Sequence, residues 1–236
     1  MRIILTNDDG YTSRGLLLLR DVLVKYGEVI VVAPKTHQSA KSTSMTFGTL
    51  HVDKENDNFY VVNGTPADCV QFALGFFKDI DLVVSGCNNG YNLGADTIYS
   101  GTIGACNQAT LGGIPAIAFS CRSEMFFDQI TKEADLVLRY IGENDLLSPN
   151  YILNVNFQHP DFCRYRGIRM TELFVPTFDY IASTVDEENY EITRNLPKTD
   201  NVNYDLGAVR NGYISITPLQ NNCFSAELLR KLDKRI

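Results

Sequence analysis

Short, nearly unbroken apolar runs recur along the first two-thirds of the chain, and each stops at a polar turn: RIILT at 2–6, EVIVVAP at 28–34, DLVVS at 81–85, PAIAFS at 115–120 and YILNV at 151–155. A short run that is apolar at every position, rather than at alternate ones, is the pattern of a strand covered on both faces, and such strands belong to parallel sheets. Segments of helical period lie between the runs. Residues 13–26 put Leu16, Leu19, Leu23 and Tyr26 on one face, with Ser13 as cap and Gly27 as stop. Residues 65–78 open with Thr65 as N-cap, Pro66 at the first helical position and Asp68 in the first turn. Further helices are predicted over 100–111, stopped by Gly112-Gly113, and over 124–141. Strands separated by helices form right-handed βαβ units. The expected fold is therefore α/β: a doubly wound, mainly parallel sheet with helices on both faces, Rossmann-like in kind.

The rest of the chain has another character. A hairpin is expected from extended runs at 44–52 and 59–63 around the charged turn 53–58. Residues 167–203 hold short extended runs, much charge and no convincing helix, YISIT at 213–217 reads as a strand, and 225–234 as a terminal helix. The expected division is an α/β core over 1–160 and, over 161–236, an extended arm or hairpin, last strand and terminal helix. That second region is read as oligomerising, not as an independent domain.

The 236 residues, 44% of them hydrophobic, suffice for one sizeable core. The formal net charge is −7 and no Lys/Arg block is present, which argues against a nucleic-acid polymer as partner. An acidic chain that binds phosphate needs a local device, either a metal ion or a helix N-terminus. None of the six cysteines forms a C-x-x-C pair, so buried free thiols are expected at Cys69, Cys87, Cys106, Cys121, Cys163 and Cys223. The first apolar run is too short for a signal peptide, and no stretch approaches the roughly 18 apolar residues of a membrane span. A cytoplasmic location without a membrane partner is the expectation.

Three polar loops each follow a predicted core strand: 7–10 (Asn-Asp-Asp-Gly), 36–44 and 86–96. Open parallel sheets bind ligands outside the carboxyl ends of their strands, so all three loops should meet on one edge. Asp8 and Asp9 repel each other unless a cation or a shared proton relieves them. Alone, such a pair is more often an acidic turn capping a helix; the other two loops shift the balance toward a site. The oxygen-only neighbours Asn7, Ser39, Asn88 and Asn92 favour a hard cation, Mg²⁺ or Mn²⁺, over zinc. Hydroxyls of Ser42 and Ser44 are further donors toward a phosphate. The Gly/Asn-rich stretch 86–94 can fold tightly and turn amides inward. It is neither G-x-G-x-x-G nor a P-loop, which disfavours a nicotinamide site and a P-loop ATPase or kinase. Ser100, Gly101 and Thr102 begin a helix, where free N–H groups suit an anion, although ordinary capping by Ser100 fits equally. His37, His51 and His159 lack metal-ligand spacing and give no Ser-His-Asp triad. His51 reads as structural and His37 as a neighbour of the site. The D-x-D-x-T pattern of aspartyl-phosphate enzymes is missing.

Taken in order, these motifs resemble the SurE (survival protein E) family. The matching segments are TNDDG at 6–10, VVAP at 31–34 with its serine loop to 44, GTPADCV at 64–70, SGCNNGYNLG at 85–94, SGT at 100–102 and GYISITPL at 212–219. The resemblance implies a metal-dependent phosphomonoesterase, a 5′-nucleotidase that hydrolyses nucleoside 5′-monophosphates and extends to 3′-monophosphates and short polyphosphate. It implies Asp8, Asp9, Ser39 and Asn88 as ligands of one divalent ion per subunit. It also implies Asn92, Ser100, Gly101 and Thr102 as phosphate contacts, and a homodimer or homotetramer with an exchanged C-terminal arm. In the expected mechanism the metal polarises the phosphate and acidifies a water, Asp8 takes the water's proton, Asp9 mainly holds the metal, and Asn92 with the helix start steadies the phosphoryl oxygens.

The sequence departs from the family pattern at Gln38, where arginine is common, at Ser42, where glycine is, and at Tyr204-Asp205, where Thr-Asp is usual; 176–203 does not align. Residues 65–68 are expected to cap and pack a helix despite belonging to the signature. The competing readings are a nucleotide- or phosphate-binding module without turnover, marked by metal-dependent binding without phosphate release, and a purely structural oligomer, marked by no metal binding.

Overall fold

In a computed structural model, residues 1–123, 130–159, 165–195 and 197–220 are described. The predicted helix at 225–234, the beginning of the 124–141 helix, Cys163 and Cys223 lie outside them. Eleven strands are present among the described residues: β1 (Arg2–Thr6), β2 (Glu28–Pro34), β3 (Val52–Asn56), β4 (Phe59–Val62), β5 (Leu82–Asn89), β6 (Ala116–Cys121), β7 (Ile152–Asn156), β8 (Ile168–Met170), β9 (Asp179–Thr184), β10 (Tyr190–Asn195) and β11 (Ile214–Leu219). Nine of them form one sheet in the order β3-β4-β2-β1-β5-β6-β7-β11-β8.

β1 shows why its sequence is apolar at every position. Ile3 and Leu5 pack into a core cluster on one face and Ile4 into the cluster on the other, all three without solvent exposure. The first face is covered by α1 (Arg14–Leu23) and α5 (Ile130–Glu143), the second by α2 (Pro66–Phe76) and α4 (Gly101–Leu111). The strands from β4 to β7 are parallel, and their spatial order, renumbered along the chain, is 3-2-1-4-5-6, the order of the doubly wound dinucleotide fold. Winding reverses between β1 and β5, so a crevice opens at their carboxyl ends.

Local chemistry sets the helix starts. The Ser13 hydroxyl accepts from Leu16 N–H at 3.3 Å. Thr65 and Asp68 form a reciprocal capping box, with Asp68 N–H donating to Thr65 Oγ1 at 3.1 Å and Thr65 N–H to Asp68 Oδ2 at 2.8 Å. Asp68 also accepts from the Thr46 N–H and hydroxyl, each at 2.7 Å, which pins the loop before β3 to this helix. Residues 65–68 thus cap and pack, as their sequence indicates.

Three expectations change. The hairpin strands are 52–56 and 59–62, not 44–52 and 59–63, and the tight turn is Asp57-Asn58. The charges of 53–56 are tolerated because β3 is an edge strand whose residues are largely solvated. Residues 86–89 are strand rather than loop: β5 continues past a register shift between Ser85 and Asn88. Gly86 allows this, since its φ is +131° and a Cβ there would lie 2.3 Å from the Phe119 carbonyl oxygen. A short helix, α6 (Asp205–Arg210), which local periodicity does not announce, precedes β11.

The C-terminal region completes the main sheet, β11 antiparallel to β7 and β8 parallel to β11, while β9 and β10 form a separate, exposed hairpin. Cys69, Cys87, Cys106 and Cys121 are buried and free. No helix among the described residues is long and apolar enough to cross a membrane.

Candidate metal and phosphate site

The three polar loops meet at the β1/β5 crevice. Asp8, Ser39, Asn88, Asn92 and Ser100 line one open pocket of about 330 Å³, together with Asp96 and Arg194. Asp8 leaves β1 only 3% exposed. Its carboxylate faces the start of α4, where the Thr102 hydroxyl donates to Oδ1 at 2.8 Å and the Thr102 N–H to Oδ2 at 3.2 Å. Gly101 makes this approach possible, because a Cβ there would stand 2.9 Å from Asp8 Cβ and 3.0 Å from Oδ2. Burial pushes the Asp8 carboxyl up to about 6; the Thr102 hydroxyl opposes that shift and the Asp9 charge adds to it. The Asp8 carbonyl accepts from Gln38 N–H at 2.7 Å, which holds the serine loop against β1.

Asp9 follows Asp8 and is half-buried, but it is not among the residues that line this pocket. Its Oδ2 accepts from Asn89 N–H at 2.9 Å, and its Oδ1 lies 3.6 Å from Nδ1 of the exposed His37. Asn88 is buried and donates its amide nitrogen to the Gly90 carbonyl at 2.9 Å, so its amide oxygen is the atom left for a ligand. Ser39 is exposed on the loop above. Among the described residues, no cluster of three His, Cys, Asp or Glu is placed to hold a metal. Any cation here must therefore complete its shell with neutral oxygens.

The four residues read from sequence as phosphate contacts divide. Asn92 is 4% exposed and donates through Nδ2 to Ser120 Oγ at 2.8 Å, which commits one of its two amide hydrogens. Ser100 caps α4 by accepting from Ile103 N–H at 3.2 Å, which leaves its hydroxyl hydrogen to donate. Gly101 and Thr102 stand behind Asp8, and both Thr102 donors are directed to that carboxylate.

Several contributors escape a reading of the sequence. Asn154 and Asn156 donate to the Asn92 carbonyl at 2.8 and 3.0 Å, and Asn156 Oδ1 accepts from Asn92 N–H at 2.9 Å. The signal was present as two asparagines at strand period in the otherwise apolar β7. Asp205, fully buried, accepts from Gly94 N–H at 2.6 Å, Phe174 N–H at 2.9 Å and Leu206 N–H at 2.7 Å. Burial raises its pKa, against those three hydrogen bonds. Arg194 reaches the pocket from β10 and pairs with Asp96. It sits in a stretch without motif, and no local signal marks it.

The family model described as Survival protein SurE matches residues 3–178. A 5′-nucleotidase SurE of Haemophilus influenzae is 39% identical, with 93% of this chain and 91% of that protein covered. One from Actinobacillus succinogenes is 36% identical, with 98% and 97% covered. The crystal structure of the SurE protein from Aquifex aeolicus has a TM-score of 0.86 and 33% identity, and covers 98% of each chain. The match of sequence and fold runs through the crevice and past it to β11, and on that footing this chain belongs to the SurE family.

Proposed function

We infer that the chain is a metal-dependent phosphomonoesterase, a 5′-nucleotidase that hydrolyses nucleoside 5′-monophosphates to nucleoside and phosphate. The observation that carries this reading is the convergence of Asp8, Ser39, Asn88, Asn92 and Ser100 on one pocket at the switch point of the sheet. The name 5′-nucleotidase, borne by relatives that cover nearly the whole chain, supports it.

The donor set fits one hard divalent cation, Mg²⁺ or Mn²⁺: the Asp8 carboxylate, a hydroxyl and an amide oxygen from the pocket lining, which holds no thiolate, and the Asp9 carboxylate bonded to Asn89 next to Asn88. Asp8, Asp9, Ser39 and Asn88 would hold it, and when bound it supplies Lewis acidity to the phosphate and to a water. The remaining steps belong to the chain. Thr102 fixes both Asp8 oxygens, so the carboxylate is oriented to take the proton of the attacking water. Asp9 is restrained through Oδ2 by the Asn89 N–H, and its Oδ1 lies beside His37. The Ser100 hydroxyl and the second Asn92 amide hydrogen donate to phosphoryl oxygens as charge shifts toward the leaving group. Thr102 contributes through Asp8 rather than by touching phosphate.

The test is phosphate release from 5′- and 3′-nucleoside monophosphates and short polyphosphate, with EDTA, Mg²⁺ or Mn²⁺. Release is expected only with metal and is expected to vanish in Asp9→Asn. Folded protein that binds nucleotide with metal but releases nothing would instead be a binding module. The hairpin supports a second part of the reading: Tyr180, Tyr190 and Ile192 are all more than half exposed on one face of β9 and β10, an apolar surface suited to a partner subunit. Light scattering is expected to give the mass of two or four chains, with this arm exchanged between them; a monomer would overturn that assignment.

A further inference from the structure

The middle of β7 is an unusual place for amide side chains. Ile152, Asn154 and Asn156 share one face of that strand, the face that α4 covers, and both asparagines are fully buried. Burying an amide costs free energy that its hydrogen bonds at best offset, and an aliphatic residue would fill either position without that cost. Both side chains turn to one residue. Asn156 accepts from Asn92 N–H at 2.9 Å and donates to the Asn92 carbonyl at 3.0 Å, as a neighbouring strand would. Asn154 donates to the same carbonyl at 2.8 Å. Ser120, the register partner of Asn156 on β6, accepts from Asn92 Nδ2 at 2.8 Å. Of these four residues only Asn92 lines the phosphate pocket.

Asn154 carries a further mark. Its Oδ1 is buried and accepts no hydrogen bond among the described residues. A side chain kept for stability alone would not leave a buried carbonyl oxygen without a donor, because that oxygen forfeits its hydration. What the residue supplies in exchange is its Nδ2 on the Asn92 carbonyl. We propose that Asn154 and Asn156 are positioning residues for phosphoryl transfer. They clamp the Asn92 backbone while Ser120 fixes one amide hydrogen, so that the second amide hydrogen is held toward the phosphoryl oxygen. Neither asparagine touches the substrate. The proposal rests on the phosphomonoesterase reading and extends its machinery to a strand outside the pocket.

The experiment measures kcat/KM for a nucleoside 5′-monophosphate in metal-loaded, full-length protein, with urea denaturation of each variant alongside. The variants are Asn154→Leu, Asn156→Leu, Asn92→Ala and each leucine substitution combined with Asn92→Ala. Asn154→Leu removes the unpaired oxygen together with the donor. Its stability is expected to equal or exceed that of wild type while kcat/KM falls roughly 2- to 10-fold, the usual contribution of one hydrogen bond. Asn156→Leu removes two bonds to Asn92, and a fall of about 10- to 100-fold is expected, the range for a misplaced contact. Combined with Asn92→Ala, neither leucine is expected to lower kcat/KM further, because the group that they position is gone. Losses that multiply in that background would show a general effect on the fold and overturn the proposal. So would an Asn154→Leu enzyme with wild-type kcat/KM, a comparison that decides the matter even if Asn156→Leu does not fold. A wild type that releases no phosphate with any metal would instead sink the phosphomonoesterase reading. Calorimetric binding of inorganic phosphate to the same metal-loaded variants then tests the positioning: weaker binding by Asn154→Leu supports it, and unchanged binding overturns it.

Discussion

Asp8→Asn is expected to cut phosphate release by about 10²–10⁴-fold, the usual contribution of a positioned general base, while the metal-free protein stays as stable as wild type or becomes more so. Both halves follow from one environment. The Asp8 carboxyl is buried, beside Asp9, and raised from 3.8 to about 6. A carboxyl whose folded value lies above its unfolded value stabilises the fold fully below the unfolded value and loses that contribution as pH rises through the folded one. In the metal-free protein the loss therefore falls between pH 3.8 and about 6, and at neutral pH it is on the order of 2–3 kcal/mol. Asparagine carries no charge and avoids it. The same shift predicts the pH dependence of cation binding: below about 6 the cation must displace a proton, so affinity is expected to drop about tenfold per pH unit, with Asp8 adding no dependence above that. Calorimetric Mn²⁺ titrations at pH 5 and 7, together with melting curves of both proteins, check the set. Equal affinity at the two pH values, or near-full turnover by Asp8→Asn with metal bound, would remove Asp8 from its assigned role.

Asp205→Ala is expected to lose on the order of 2–5 kcal/mol of stability, because three backbone N–H groups would remain in a buried place without an acceptor. The cost falls short of three full charge-assisted bonds because burial already disfavours the charged carboxylate. Two of the three donors, Gly94 and Phe174, belong to the walls beside the pocket, so KM for the nucleotide should rise before kcat falls. Asp205→Asn keeps one acceptor oxygen and should be intermediate. Urea denaturation with steady-state kinetics reads both effects; an Asp205→Ala protein with wild-type stability would show that the carboxylate is not what joins these segments.

Much of the site was legible because its chemistry is local. Asp8 and Asp9 are adjacent in sequence, Ser39 and Asn88 stand just beyond or at the ends of buried strands, and Thr65 and Asp68 write a capping box in consecutive residues. What was misread involved edges and register. The charged residues at 53–56 resemble a turn until the sheet places them on a solvated edge strand, and 86–89 resembles a loop because its glycine and asparagines hide a strand running on past a bulge. Thr102 reads as a free anion donor, and only its distances of 2.8 and 3.2 Å to Asp8 show where its hydrogens go.

The sequence by itself determined that the fold is a parallel α/β sheet and that its polar loops share one edge. A strand apolar on both sides must be covered on both sides, and a helical return leaves successive strands pointing the same way. The oxygen-only donors it carries are the ground for proposing a hard cation. The tertiary structure alone decided that β1 lies beside β5, that Asp205 ties 94 to 174, and that Arg194 closes the pocket against Asp96. These contacts join residues far apart along the chain. Their partners are selected by which surfaces remain to be covered once the core has formed, and no local pattern of residues encodes that choice.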